Sequence, residues 1–312
     1  MEGRSLSMPA HITCCNCDSP MEGVLFENRK ITFIGPGVMA EAMIAGIIRQ
    51  KVAGPESILA SGPRAERGEE LEGRYGIRAF TGNAEAARQA DVVVLSVKPQ
   101  RLDDVLAGMR GAIQPHALVL SIVAGAPIDK IGAGLRHANI VRSMPNTPAQ
   151  IGEGITVWTA APAVSDEQRE MARRILLALG KEIFVEDEYF LDMATALSGT
   201  GPAYVFLFME AMVDAGVHLG FPRRIAEELV AQTVRGSVDY YTNRDDPVHL
   251  ARLRNQVTSP GGTSAAALYY LDKAGFRTAI SRAIWAAYER SRELGKGGQS
   301  HSPERGTSGE GE

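Results

Sequence analysis

Short apolar runs alternate with stretches of helical spacing between residues 30 and 187. A short apolar run bounded by turn residues predicts a strand, and apolar positions three to four apart predict a helix. The predicted strands are residues 31–34, 57–60, 91–97, 117–122, 140–142, 155–159 and 183–185. The predicted helices are residues 38–50, 64–75 and 166–179. Repeated strand–helix units favour a parallel sheet covered by helices.

The pattern changes to helical spacing alone after residue 187. Helices are predicted at residues 189–197, 202–219, 222–242, 247–256, 263–274 and 276–294, with Pro202 and Pro222 in first turns, where proline is tolerated. Their apolar surface is larger than about 100 residues would hide in a monomer, which indicates an oligomer. We therefore expect the chain to divide into a disordered leader at 1–28, an α/β domain at 29–187, an all-α domain at 188–294 and a disordered tail at 295–312.

Composition and charge narrow the class of protein. A hydrophobic content of 45% and a charged content of 22% are ordinary for a globular protein, and a net charge of −4 gives no reason to expect nucleic acid or an anionic membrane as partner. No apolar run reaches the roughly 18 residues that span a bilayer. The body of the chain has no cysteine, which fits the reducing cytoplasm, and we expect no metal site. Its three cysteines are Cys14, Cys15 and Cys17.

A glycine motif follows the first predicted strand and opens the first predicted helix. In a G-x-G-x-x-A pattern the first glycine makes a tight turn, and the second lets a pyrophosphate approach the backbone. We therefore expect a dinucleotide here, against the simpler interpretation of a plain strand–helix turn. The residues of this segment are Ile34, Gly35, Pro36, Gly37, Val38 and Met39.

The end of the second predicted strand indicates which dinucleotide binds. An NAD site usually places a carboxylate there for the ribose 2′-hydroxyl, and this chain has none. Ser61, Arg64 and Arg67 could instead hold a 2′-phosphate. We predict NADP, with NADPH preferred and NADH accepted. The alternative is that both arginines are solvated residues on a helix.

Two further segments follow predicted strands at the edge where ligands of open α/β sheets bind. Ser96, Val97, Lys98 and Pro99 end the most apolar strand, so Lys98 is expected at the cofactor crevice rather than as an ordinary surface lysine. Asn146 and Thr147 lie in a loop that two prolines restrict. They offer amide and hydroxyl groups, although a structural turn is the competing interpretation.

The segment VTSPGGTS, residues 257–264, has the composition of an anion receptor. It precedes an apolar helix, and a helix start presents unpaired N–H groups and a positive dipole end. A carboxylate or phosphate could bind there, with hydroxyl groups as further donors. A capped helix after a glycine-rich turn is equally compatible. The residues concerned are Ser259, Gly261, Gly262, Thr263 and Ser264.

The chain offers no convincing Ser/His/Asp arrangement and no paired carboxylates. Its six histidines are scattered over loops, helices and the two ends. This argues against a histidine-driven alcohol dehydrogenase. A protonated imine fits better, because it is already electrophilic and the cofactor performs the difficult step.

Together these motifs resemble the pyrroline-5-carboxylate reductase family. FIGPGVMA, VVLSVKPQ, VRSMPNTPAQIGEGIT, LSGTGPAYVF and VTSPGGTS occur in that family's order and spacing, over roughly residues 31–292. The resemblance implies reduction of L-1-pyrroline-5-carboxylate to L-proline by NADPH or NADH. It implies a Rossmann-like domain followed by an all-α dimerisation domain, and it adds Asn83, Val123 and Ala124 to the cofactor site.

The resemblance also implies roles for the 257–264 segment. The helix start at Gly261–Ser264 would hold the substrate carboxylate, and Ser264 would take the place of the family's hydroxyl residue beside the ring nitrogen, where threonine is commoner. In the family this loop comes from the partner subunit of an interlocked dimer, and dimers often form decamers. The alternatives are a reductase of a related cyclic imine, a β-hydroxyacid dehydrogenase-like enzyme and a non-catalytic NADP-binding protein. The β-hydroxyacid dehydrogenase alternative is weakened because residues 199–208 contain no lysine.

Overall fold

The computed structural model describes residues 26–295 and shows one eight-stranded sheet followed by helices. Along the sheet the strand order is β3-β2-β1-β4-β5-β6-β7-β8. The strands are β1 (Ile31–Ile34), β2 (Ile58–Ser61), β3 (Arg78–Phe80), β4 (Val92–Leu95), β5 (Leu118–Ser121), β6 (Ile140–Met144), β7 (Gly154–Ala160) and β8 (Gly180–Phe184).

Twelve α-helices occur in the described residues, six within the sheet domain and six after it. The first six are α1 (Val38–Arg49), α2 (Ala65–Tyr75), α3 (Asn83–Ala87), α4 (Leu102–Met109), α5 (Ile128–Leu135) and α6 (Asp166–Leu177). The others are α7 (Phe190–Ala194), α8 (Gly201–His218), α9 (Arg223–Thr242), α10 (Leu250–Gln256), α11 (Thr263–Lys273) and α12 (Phe276–Gly295).

The sheet is parallel except at one pair, where β6 and β7 run antiparallel with Met144 opposite Val157. The predicted parallel sheet is therefore present with one antiparallel pair, which the sequence pattern did not predict. Parallel neighbours need a long crossover, usually a helix, whereas antiparallel neighbours can be joined by a short link. The link here is a loop with a single 3₁₀ turn, Thr147–Ile151, so the chain returns beside β6 in the opposite direction.

The sheet core has two sides, as expected when helices cover both faces. Strand β4 shows this most clearly, because all four of its residues are fully buried. Val92 and Val94 pack on one side with α1 and α6 residues, and Val93 and Leu95 pack on the other with α4 and α5 residues. A continuous apolar run therefore identified this strand correctly.

Several short elements had no clear signal in the sequence. The sequence pattern did not predict β3, α3, α4 or α5, each of which has eight or fewer residues. Pro222 lies at the N-cap of α9 rather than inside its first turn. Phe26 is buried in the sheet core, so ordered structure begins before residue 29; residues 1–25 and 296–312 of the predicted leader and tail lie outside the described part.

The helical domain buries little of its own apolar surface. Its buried cluster in the described chain consists of Val213, Ala226 and Val230, where α8 packs on α9. Phe206, Leu207, Tyr270 and Trp285 are each more than 60% exposed. Burial of apolar side chains is the main stabilising term of folding, and exposed apolar surface of this kind is typical of a region that contacts another protein or a membrane.

One helical stretch, Phe190–His218, is long and apolar enough to cross a membrane by length and composition, which the sequence pattern did not predict. A π-helical turn at Thr195–Gly199 interrupts it. At its start Asp192 accepts hydrogen bonds from Arg142 and Ser291, which belong to β6 and α12. This end of the stretch is therefore part of a polar junction between the two domains.

That junction is centred on Arg142, which sequence reasoning had placed at the end of a strand before a loop. It lies within β6, is buried, and binds Glu188 at 2.9 Å and Asp192 at 3.0 Å. Glu188 also accepts the backbone N–H of Ile128 at 2.8 Å. Beside it Gly125, with φ +69°, packs so closely on α12 that a Cβ would lie 2.8 Å from the Ser291 carbonyl oxygen.

Replacing Arg142 by Met should destabilise the protein, because both carboxylates would lose their cationic partner. We expect the free energy of unfolding to fall by about 2–3 kcal/mol, less than for a fully buried pair because Glu188 and Asp192 are partly exposed. Chemical denaturation followed by circular dichroism measures this. Arg101→Met is the matched control, since its 3.8 Å pair with Asp104 is exposed; an equal loss in both variants would contradict the assignment.

Candidate active site

The carboxyl ends of the parallel strands bring most of the predicted cofactor residues to one edge of the sheet. Gly35 follows β1, Ser61 ends β2, Ser96 follows β4 and Val123 follows β5. The order of connections reverses between β1 and β4, and ligands of such sheets bind at this switch point. The crevice that the sequence predicted is therefore formed by these strands.

The glycine-rich turn has the geometry that its first glycine requires. Gly35 has φ +89°, and a Cβ there would lie 2.6 Å from Val97 Cγ1. Its N–H donates to the Ser61 carbonyl at 2.8 Å. The Ser96 hydroxyl donates towards the Ile34 and Gly35 carbonyls at 3.0 and 2.9 Å. Strands β1, β2 and β4 thus hold the turn from both sides.

Helix α1 begins directly after this turn with free donors. Gly37 is its N-cap, and no side chain caps the helix. A Cβ on Gly37 would meet only the Gly35 carbonyl oxygen, at 4.0 Å, so the space in front is open. Exposed N–H groups and a positive dipole end at an open glycine fit a pyrophosphate. The residues present therefore suit a dinucleotide.

The end of β2 opens on a cavity of about 340 Å³. Pro36, Gly62, Arg64 and Thr81 line it, and the Arg64 side chain is exposed. Glu69, Glu72 and Glu85 also line the cavity. Ser61 is fully buried and donates to Asn83 Oδ1 at 2.8 Å, so the two predicted residues are in contact. Arg64 is thus a cation positioned beside the glycine-rich turn.

Arg67, the second arginine considered for a 2′-phosphate, is engaged inside the fold. Its Nε donates to the Pro36 carbonyl at 3.1 Å. One terminal nitrogen binds Glu70 at 2.7 Å, and the other binds Glu41. Its guanidinium therefore supports the glycine-rich turn from behind, which leaves Arg64 as the better candidate for a phosphate.

The remaining predicted cofactor residues lie along the same edge in different environments. Lys98 is exposed and precedes a 3₁₀ turn that starts at Pro99, while Val97 and Ala124 are half-buried. Asn146 is nearly buried, and its Oδ1 accepts the Ile155 N–H at 3.0 Å. Asn146 thus has the structural role of fixing the loop between β6 and β7, whereas Thr147 beside it is exposed.

The predicted anion receptor lies in the helical domain. Gly261 has φ +71°, and Gly262 is the N-cap of α11 with no side-chain cap. The Gly262 N–H donates to the Ser259 carbonyl at 3.1 Å. Thr263 is exposed and Ser264 half-buried in the first turn. Helix α11 packs on α12, and none of its described residues is buried within this chain.

The sequence pattern did not predict the positions that three residues have at the crevice. Glu41 and the true role of Arg67 depend on a contact between α1 and α2, and Thr81 reaches the cavity through the unpredicted strand β3. A contact between two elements produces no periodic pattern in the sequence of either element, so it cannot be predicted from local spacing. The acidic residue at Glu41, four positions after Gly37, was the one available hint, since an acid in a first turn is common.

Comparison with known proteins agrees with this arrangement. Residues 188–294 match the family model for pyrroline-5-carboxylate reductase dimerisation, and residues 30–125 match the model for NADP oxidoreductase, coenzyme F420-dependent. The chain is 43% identical over 267 residues to the pyrroline-5-carboxylate reductase of Synechocystis, covering 86% of this chain and 98% of that relative. The chain belongs to the pyrroline-5-carboxylate reductase family.

Further pyrroline-5-carboxylate reductases give the same result. The Pseudomonas aeruginosa relative is 42% identical over 266 residues, covering 85% of this chain and 96% of the relative. The structure of Plasmodium falciparum pyrroline carboxylate reductase with NADP bound has a TM-score of 0.79 at 34% identity, covering 86% of this chain and 99% of that one. The predicted fold class, family and NADP cofactor are confirmed.

Two alanine substitutions should separate the roles of the glycines. Gly35→Ala should lower both thermal stability and NADPH affinity, because the new Cβ clashes with Val97 at a positive φ. Gly37→Ala should keep stability, since its φ of −82° suits alanine, yet weaken NADPH binding roughly tenfold by filling space that a pyrophosphate needs. Thermal unfolding and NADPH fluorescence titration measure the two effects. Unchanged NADPH affinity in Gly37→Ala would place the pyrophosphate elsewhere.

Proposed function

We propose that this protein reduces L-1-pyrroline-5-carboxylate to L-proline with NADPH, the last step of proline biosynthesis. Membership of the family over 98% of a relative's length carries this proposal. NADPH supplies a hydride from C4 of its nicotinamide. The imine carbon receives that hydride and the imine nitrogen a proton, so the product is the saturated ring.

The crevice residues divide into groups by the part of the cofactor they would hold. The α1 start at Gly35–Met39 would take the pyrophosphate. Arg64 would take the 2′-phosphate, and Ser61 would orient Asn83 near the ribose. Residues Ser96–Pro99 and Val123–Ala124 would border the nicotinamide end, with Asn146 fixing the adjacent loop. NADH would bind without the Arg64 contact, so NADPH is the preferred donor.

The start of α11 would hold the substrate. Its uncapped N–H groups and the Thr263 hydroxyl suit a carboxylate, with Ser259, Gly261 and Gly262 shaping the turn. The Ser264 hydroxyl would hydrogen-bond the ring nitrogen. The proton would come from Ser264 or from a water molecule beside it, because a hydroxyl can both accept and donate.

The assembly follows from the exposed helices. A dimerisation domain indicates a homo-oligomer. We propose a dimer at least, with the α11 start of one subunit completing the crevice of its partner, and a decamer as the larger assembly. In this assembly the apolar helices pack on protein rather than on a membrane. We also propose that the protein is located in the cytoplasm and does not bind nucleic acid.

The direct test is loss of NADPH absorbance by the purified protein with L-1-pyrroline-5-carboxylate, with proline measured by chromatography. We expect one proline for each NADPH oxidised and a lower kcat/KM with NADH. Piperideine carboxylate, a ring one carbon larger, is the control for the related cyclic imine. Tight NADPH binding without turnover of either imine would favour the non-catalytic alternative and overturn the proposal.

Ser264→Ala should lower kcat/KM roughly 100-fold or more, because a positioned proton donor typically contributes about 10²- to 10⁴-fold. Ser264→Thr keeps the hydroxyl and should retain activity within several-fold. Thermal unfolding should be unchanged in both, because the side chain lies in the first turn of an otherwise exposed helix. Full activity in Ser264→Ala would remove this residue from the mechanism.

A further inference from the structure

Arg67 joins three elements around the back of the glycine-rich turn. It extends from α2, donates from Nε to the Pro36 carbonyl at 3.1 Å, and binds Glu41 of α1 through a terminal nitrogen. A planar guanidinium can make these bonds at fixed angles, which a lysine ammonium cannot reproduce. The side chain is only 17% exposed. The turn is thus held on one side by Ser96 and on the other by Arg67.

Glu41 is the second part of this cluster. Its carboxylate accepts hydrogen bonds from Arg67, Arg74 and the Tyr75 hydroxyl, the last at 2.9 Å. Burial alone would raise the pKa of Glu41, but the hydrogen bonds from Arg67, Tyr75 and Arg74 outweigh it and hold the pKa below its ordinary value. The group is therefore a stable anion within the first turn of α1.

The negative charge of Glu41 affects how strongly a phosphate ligand can bind at the start of α1. A carboxylate in the first turn interacts favourably with the helix dipole, as a bound pyrophosphate would. Left without a cation, Glu41 would compete with the pyrophosphate for that positive end and repel it. Arg67 and Arg74 together neutralise Glu41, and of these two arginines only Arg67 also fixes the Pro36 carbonyl.

We propose that Arg67 is a positioning residue for the cofactor pyrophosphate, acting through Pro36 and Glu41 without touching the 2′-phosphate. The inference rests on the proposed dinucleotide function of the crevice. Arg67 then serves NADPH and NADH equally, while Arg64 alone distinguishes the two. The two arginines, three positions apart, have separate functions that the sequence cannot distinguish.

The test measures Kd for NADPH and for NADH by fluorescence titration, without substrate, in the full-length protein. Arg67→Met should raise both Kd values by the same factor, roughly tenfold, as expected for loss of hydrogen bonds from a charged donor. Arg64→Gln should raise the Kd of NADPH only. Arg74→Gln, which loses contacts to Glu41 and Glu70 but none to the turn, is the matched control and should leave both values within about twofold.

Arg67→Lys covers the case in which Arg67→Met does not fold. It keeps the positive charge near Glu41 and loses the bond geometry at Pro36, so a smaller but equal rise in both Kd values is expected. In steady state, KM for each cofactor should rise while kcat at saturation stays within about twofold. A merely structural role for Arg67 would instead lower thermal stability and leave both KM values unchanged.

Two results would overturn the inference. A rise confined to NADPH would mean that Arg67 binds the 2′-phosphate, and unchanged Kd values in a folded variant would mean that the turn does not need it. Because the titration contains no imine, these outcomes are distinct from failure of the proposed function, which would show as normal cofactor binding without proline formation.

Discussion

The helical domain has a large apolar surface that its own residues do not cover, and the proposed assembly depends on this surface. Helices α8 to α12 have few buried side chains in the described chain, and α11 has none. Association of two copies would bury that surface and would provide most of the stability of this half of the molecule. The loop proposed to bind substrate begins α11, so packing of the helices would fix its position. In the proposed function, assembly and substrate binding are therefore linked through one element.

The sheet domain is, by contrast, complete within one chain. The central strands are buried on both faces of the sheet, and their pairing holds β1, β2, β4 and β5 in register. The carboxyl ends of these four strands form the cofactor crevice. The Arg142 junction then connects β6 to α7 and α12, and Gly125 lets α12 approach the turn after β5. The nucleotide domain is therefore joined to the helical domain by the buried Arg142 and its two partly exposed carboxylate partners.

The sequence predicted the features that depend on local pattern. Strand β4, the turn at Gly35 and the α11 start were each identified from apolar runs or glycine positions, and the structure has them in place. The antiparallel direction of the predicted strand β7, the short elements β3 and α3 to α5, and the contacts of Arg67 and Arg142 were not predicted. Each of these features depends on contacts between segments that are distant in the chain. A short element or a single charged side chain has no periodic pattern from which its contacts could be predicted.

The most direct test of this account is to mix two variants that each have low activity. Gly37→Leu blocks the cofactor turn and leaves the α11 loop intact, whereas Ser264→Ala does the reverse. If the loop of one subunit completes the crevice of the other, co-refolding them in equal amounts restores roughly a quarter of wild-type activity, because about half of the dimers are mixed and each has one intact site. Activity no greater than the sum of the separate variants, in a mixture shown to contain mixed dimers, would mean that each site is formed within a single chain and would contradict the account.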